Sequence, residues 1–118
     1  MSKHDMEKIF TYGTLQDPQI QIQLTGHTLD GTPDTLQGYK MAKLKGIHAT
    51  YNILQPQSRA TVDGVVYDVT ADELKKIDDY EGDAYMRVSA TLVSDTRAWV
   101  YRDNPNSAYQ SQIVTSND

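Results

Sequence analysis

The residues of this chain that can do chemistry lie in two short stretches far apart in the sequence. One runs Thr70-Ala71-Asp72-Glu73-Leu74-Lys75-Lys76-Ile77-Asp78-Asp79-Tyr80-Glu81-Gly82. Thr70 and Glu73 have the spacing of a capping box. Leu74, Ile77 and Tyr80 line one side of a helix, and Gly82 supplies a left-handed stop. The spacing therefore predicts a helix from a cap at Thr70 to a stop at Gly82, with Glu81 in its last turn. The carbonyl end of a helix is partially negative and prefers Lys or Arg, an effect of about 0.3–1 kcal/mol at an exposed site. Asp78, Asp79 and Asp83 crowd the same turn and push the same way. If Glu81 turns inward, desolvation raises its pKa by whole units and outweighs both effects. Such a carboxylate is a general-base candidate near neutral pH. The alternative is an acidic helix end that faces water.

The other stretch is Tyr12-Gly13-Thr14-Leu15, placed where a strand ends and a helix is about to start. Gly13 permits backbone conformations that aim successive N–H groups at one point, a nest for a carboxylate or an oxyanion. An ordinary strand-to-helix turn has the same residues.

The elements that must position these stretches are short. Lys8 to Tyr12 reads as a strand, and Asp17-Pro18 as an N-cap followed by Pro at the first helical position. The short helix after it carries Ile20 and Leu24 one turn apart and ends near Gly26. His27 to Pro33 reads as a loop. Thr35 to Met41 alternates as a strand with Gly38 a bulge, and Lys43 to Gly46 continues it or begins a turn. Ala49 to Leu54 reads as a separate strand that stops before Pro56. Thr61 to Val69 puts Val65, Tyr67 and Val69 on one face. Tyr85 to Val93 places Met86, Val88, Ala90 and Leu92 opposite Arg87, Ser89 and Thr91. A turn at Ser94-Asp95-Thr96 leads into Arg97 to Tyr101, completing a hairpin, and the chain from Asp103 reads as a mostly irregular polar tail. The expected fold class is α+β, a small mixed β-barrel of five to six strands flanked by one long and one short helix. Closure of the sheet removes exposed edges. A single domain over 1–118 is expected, with an ordered core of about 8–102 and a tail over 103–118.

Composition narrows the possibilities. The chain has 118 residues, of which 38% are hydrophobic, and eight tyrosines against one Phe and one Trp. Buried tyrosines need partners for their hydroxyls, which points to polar tips near a cavity. A net charge of −5 without a Lys/Arg cluster argues against nucleic acid. With no cysteine there is no disulfide, thiolate metal site or Cys nucleophile. His4, His27 and His48 lack ligand spacing, so no metal site is expected. No apolar run reaches membrane-spanning length and the first residues lack a signal-peptide core, so a cytoplasmic protein off the membrane is expected.

Taken in order, Tyr12-Gly13-Thr14-Leu15, Gly64-Val65-Val66-Tyr67, Asp78-Asp79-Tyr80-Glu81-Gly82, Tyr85-x-Arg87 and Ala98-Trp99-Val100-Tyr101 resemble the γ-glutamylcyclotransferase-like superfamily. The resemblance spans about residues 8–102, and its small γ-glutamylamine cyclotransferase branch is nearest in size. It implies a small barrel flanked by helices. It implies that the backbone of Tyr12, Gly13, Thr14 and Leu15 holds the amino-acid end of a small γ-glutamyl substrate, and that Glu81 is the catalytic base. Asn52 departs from the Tyr-Pro often found at its position, which leaves that wall of the pocket undefined.

The implied reaction is intramolecular. The substrate's α-amino group attacks its own γ-carbonyl, releasing an amine or amino acid and forming 5-oxoproline. The nucleophile comes with the substrate, so no metal or cofactor is required. The α-ammonium has a reference pKa of about 7.7–8.0 and Glu about 4.3, a gap of ~3.5 pKa units or about 5 kcal/mol. Burial that lifts Glu81 to ~6–7 removes most of it.

Tyr85 and Arg87 lie on alternate positions of one strand and face the same side. Arg87 can pair with Asp78, Asp79 or Glu81, or with substrate. Tyr51 and Tyr101 are candidates for the pocket lining, with an amphipathic core role as the alternative. A monomer or weak homodimer is expected. A second functional reading is a non-catalytic module of the same fold that binds a small ligand or a protein. A third is a related acyl transfer that removes a γ-glutamyl protecting group.

Overall fold

A computed structural model describes residues 6–45, 50–104 and 113–114, and the side chains of residues 44, 45, 50, 51, 113 and 114 are not among those described. Six strands form one mixed sheet: β1 (Glu7–Thr11), β2 (Gly31–Lys45), β3 (Thr50–Val69), β4 (Tyr85–Thr91), β5 (Arg97–Asp103) and β6 (Ile113–Val114). Their spatial order is β4-β5-β1-β3-β2-β6. A short 3-10 turn at Thr14–Gln16 and helix α1 (Pro18–Thr25) come after β1, and α2 (Ala71–Glu81) comes after β3.

Strand β1 sits inside the sheet. It pairs antiparallel with the end of β3, from Glu7 opposite Val69 to Thr11 opposite Val65. On its other side it runs parallel to β5, with Ile9 beside Trp99 and Phe10 beside Val100. Successive strand side chains point to opposite faces, and here both faces are covered. Phe10 joins Leu36, Leu54, Val62, Val66, Leu92, Ala98 and Val100 on one face of the sheet. Ile9 joins Leu15, Tyr67, Val69, Leu74, Ile77 and Tyr101 under the helices. The alternation read for 61–69 and 85–93 is sorted in this way: Tyr67 and Val69 under the helices, Val88, Ala90 and Leu92 on the opposite face. The sheet curls towards a barrel. Val93 N–H, just past β4, donates to the Thr35 carbonyl in β2 at 2.9 Å. No continuous ladder joins these two strands among the described residues.

The helix ends match the sequence signals. Asp17 caps α1 by accepting from Gln19 N at 2.9 Å, Pro18 opens the helix, and Gly26 closes it at φ +86°. Thr70 and Glu73 form the reciprocal capping box of α2, and Gly82 ends it with φ +74° and ψ −169°, an extended glycine conformation in place of the left-handed helical one expected. The Glu73 carboxylate also meets His27 Nε2 at 2.8 Å, tying the end of α1 to the start of α2.

Three expectations need correction. Residues 49–54 and 61–69 are not separate strands, because β3 runs unbroken from Thr50 to Val69 through Pro56. The pairing shifts between Gln37 and Tyr39, where Gly38 has φ +85°, and this bulge accommodates a proline that a regular central ladder would not. The loop ends earlier than Pro33: β2 begins at Gly31, with Thr32 and Pro33 paired to Val66 and Val65. On its other side, among the described residues, β2 forms a ladder at Lys43 and Leu44 and accepts the Val93 N–H at Thr35, and no strand is paired with Pro33 there. Finally, the polar tail contributes the two-residue β6.

Gly64 fixes how closely β3 approaches the end of β1. A Cβ at this position would run into the Thr11 carbonyl and the Phe10 ring. Gly64→Ala should therefore destabilise the protein by about 1–3 kcal/mol, as for other overpacked interiors, measured as a lower urea midpoint with unchanged slope.

Candidate active site

The end of β1 and the end of α2 meet at a cavity of about 170 Å³ lined by Phe10, Thr11, Tyr12, Gly13, Thr14, Leu15, Asn52, Glu81, Tyr85 and Tyr101. The turn that forms one wall is held from beneath. Gln16 Nε2 donates to the Thr11 carbonyl at 3.0 Å. Gln21 is buried, donates to the Leu15 carbonyl at 3.0 Å and accepts from Leu29 N–H at 2.9 Å. Leu15 is thereby anchored in the core beneath the helices. A Cβ added at Gly13 would meet open space, so another molecule can approach this backbone closely. Thr14 and Leu15 open the 3-10 turn, and the first N–H groups of a helical turn lack partners within it.

Glu81 is half-buried at the last position of α2. Among the described residues no donor reaches its carboxylate. Burial, and secondarily the negative charge of Asp78, push its pKa up to about 7. Asp78 lies three residues earlier on the helix, the spacing that places two side chains on one face. Thr14 Oγ1 and the Tyr80 hydroxyl are 2.7 Å apart, a direct link between the turn and this last helical turn.

The tyrosine hydroxyls are already engaged. Tyr12 donates to the Tyr101 carbonyl at 2.8 Å, Tyr101 to Asp78 Oδ1 at 2.6 Å, and Tyr85 to the Asn52 carbonyl at 2.7 Å. Burial raises the Tyr12 and Tyr101 hydroxyls well above the ordinary tyrosine range, so both are neutral. These rings serve as walls.

Of the residues singled out from sequence, the cavity brings together Tyr12, Gly13, Thr14, Leu15, Glu81, Tyr85 and Tyr101. Arg87 is not among its lining residues. It borders an adjoining recess with Asp78, Glu81, Gly82, Tyr85 and Tyr101. There its Nε donates to Asp78 Oδ1 at 2.9 Å, and its guanidinium lies 4.3 Å from the centroid of the Trp99 ring. Among the pairings open to it, Asp78 is the one formed. The expectation for Tyr51 falls on a side chain outside those described. Asn52 lines the cavity, at the wall where the resemblance put it, whereas sequence reasoning missed Gln21 and Tyr80. For Tyr80 the signal was available in its adjacency to Glu81, but Gln21 shows only in three dimensions. Among the described residues no helix is long and apolar enough to cross a membrane, and no cluster of three or more His, Cys, Asp or Glu side chains could hold a metal ion.

The curled mixed sheet with its two helices has the γ-glutamylcyclotransferase-like fold of solved structures. Residues 9–118 match the family model "Gamma-glutamyl cyclotransferase, AIG2-like", and the chain belongs to that family. It is 30% identical over 111 residues to AIG2-like protein A of Arabidopsis thaliana, covering 86% of this chain and 66% of that protein. The chain therefore spans a little under two thirds of the curated relatives it matches. A solution structure of another Arabidopsis thaliana protein superimposes with a TM-score of 0.78 at 28% identity, over 98% of this chain and 80% of that one. A solved gamma-glutamyl cyclotransferase shares the fold with a TM-score of 0.66 at 17% identity, over 84% and 67% of the two chains.

The raised pKa of Glu81 has a thermodynamic signature. Its folded-state value of about 7 exceeds the ordinary 4.5, so the folded protein binds the proton more tightly and loses stability as pH rises between these values. Glu81→Gln should raise Tm above pH ~7, and the gain should vanish as pH falls towards ~4.5. Paired thermal melts across that window measure it.

Proposed function

We propose that this chain is a cofactor-independent γ-glutamylcyclotransferase with Glu81 as its general base and acid. The reading rests above all on one observation: an unpartnered carboxylate with a pKa near 7 borders the same small cavity as the Tyr12–Leu15 backbone. The family membership supports it at the level of reaction class.

In this mechanism the α-carboxylate of a γ-glutamyl compound lies against the amides of the Gly13–Leu15 turn. Glu81 removes a proton from the α-ammonium, and the freed amine attacks the γ-carbonyl. A five-membered ring closes through a tetrahedral oxyanion. The ring nitrogen gives its second proton to water, the carbon–nitrogen bond to the leaving amine then breaks, and that nitrogen takes its proton from protonated Glu81. The base is regenerated and 5-oxoproline leaves. With Glu81 near 7 and an α-ammonium at about 7.7–8.0, proton transfer costs only about 1–1.5 kcal/mol, against about 5 for an unperturbed glutamate. Fixing the two reacting groups of one substrate supplies a further advantage in effective concentration. Tyr12, Tyr85 and Tyr101 shape the cavity and exclude water, and backbone amides are the better oxyanion donors because the tyrosine protons are committed.

The test is release of 5-oxoproline from a panel of γ-glutamyl amines, γ-glutamyl dipeptides and glutathione. At least one should turn over, with kcat/KM rising with pH through a midpoint near 7 as the base ionises. Glu81→Gln should lower kcat/KM about 10²–10⁴-fold with an unchanged circular dichroism spectrum. Absence of turnover across the whole panel would reject the enzyme and leave a ligand-binding module on the same fold.

A further inference from the structure

The recess beside the cavity holds two carboxylates, Asp78 and Glu81, and one cation, Arg87. Among the described residues that line either space, Arg87 is the only Lys or Arg. An arginine next to a catalytic carboxylate is a hazard to it. A guanidinium within about 4–6 Å would favour the charged form of Glu81 and lower its pKa by about 1–3 units. The base would then no longer match the ammonium it must deprotonate.

The contacts show how that pairing is avoided. Arg87 Nε donates to Asp78 Oδ1, while its guanidinium stacks on Trp99. The same oxygen accepts the Tyr101 hydroxyl at 2.6 Å, and the Tyr101 carbonyl accepts the Tyr12 hydroxyl. Asp78 thus fixes a ring that lines both spaces and holds the cation at once. The groups facing Glu81 are Tyr12 beyond the end of β1, Tyr85 and Arg87 from β4, Tyr101 from β5, and Asp78 on its own helix. Of these Asp78 is the one acid and Arg87 the one base, and the other three are phenols.

We infer that Asp78 is a positioning residue that sequesters Arg87, keeping the catalytic carboxylate unpaired and available for proton transfer. The inference rests on Glu81 as the base and adds how its environment is maintained. The Asp78 charge also raises Glu81 directly, so the share of the shift that belongs to Arg87 is the part that removal of Arg87 reverses.

The decisive measurement is a carbon-13 NMR titration of the glutamate side-chain carboxyls, with Glu81 assigned by comparison with Glu81→Gln. Asp78→Asn keeps an acceptor oxygen for Tyr101 but removes the charge that holds Arg87. The Glu81 midpoint should fall by about 1–3 pH units as the freed guanidinium turns to it. Adding Arg87→Met to Asp78→Asn should bring the midpoint back up. An unchanged midpoint in Asp78→Asn, or a double variant that titrates like the single one, overturns the inference. Arg87→Met alone guards against misfolding of the Asp78 variant: its Glu81 midpoint should hold or rise, and a fall overturns the inference. The acid limb of kcat/KM should move in parallel with each midpoint. If the wild-type chain turns over no substrate, the proposed activity fails, yet the titration still decides whether Asp78 holds Arg87 away from Glu81.

Discussion

The position of β1, hydrogen-bonded on both sides and covered on both faces, is the constraint on which the rest of the molecule depends. Ile9 and Phe10 are fully buried in opposite directions, one under the helices and the other on the far face of the sheet. A strand held in this way cannot slip by one residue without exchanging its two apolar faces. The adjoining turn, Tyr12-Gly13-Thr14, is therefore delivered at a fixed height and orientation. The glycine at position 64 sets the spacing on one flank, and the buried amide of Gln21 holds the turn from below.

Against that fixed turn stands a carboxylate in a setting that runs against ordinary helix design. Nothing cationic closes the last turn of α2, and Glu81 is drawn out of water without a donor to compensate it. The cost is offset elsewhere on the same helix: the capping box stabilises its other end, and Leu74 and Ile77 bury its inner face. Conflicts between local preference and global structure concentrate at functional sites, and this helix end is the clearest such conflict in the described part of the chain.

Features written in local residue patterns were legible in the amino-acid sequence. Asp17-Pro18, Thr70 with Glu73, and the glycines at 26 and 82 act through their immediate neighbours, so their effect survives in the linear sequence. The alternation around Tyr67 and Val88 was equally clear, because each strand faces one packed layer on either side. Features that depend on a partner strand were not. Pro56 reads as a break until its partner Tyr39 is seen beside the bulge at Gly38, where the ladder shifts. Gln21 looks like one glutamine among several in a polar helix until its amide is found beneath Leu15. Arg87 had several carboxylates within plausible reach, and only the crossing of β4 past α2 selects Asp78.

The hydroxyl pair between Thr14 and Tyr80 has a wider implication. It spans a seam between the strand-end turn and the helix, whereas the sheet itself is knitted by long ladders that do not cross that seam. The same boundary is also closed by the Tyr101–Asp78 and Arg87–Asp78 bonds and by Leu74 and Ile77 packed with Ile9, Tyr67 and Val69. Loss of the hydroxyl pair alone therefore leaves α2 seated on the sheet and frees only the Thr14 side chain. Thr14 and Tyr80 form a local latch on a boundary that the buried layer already holds.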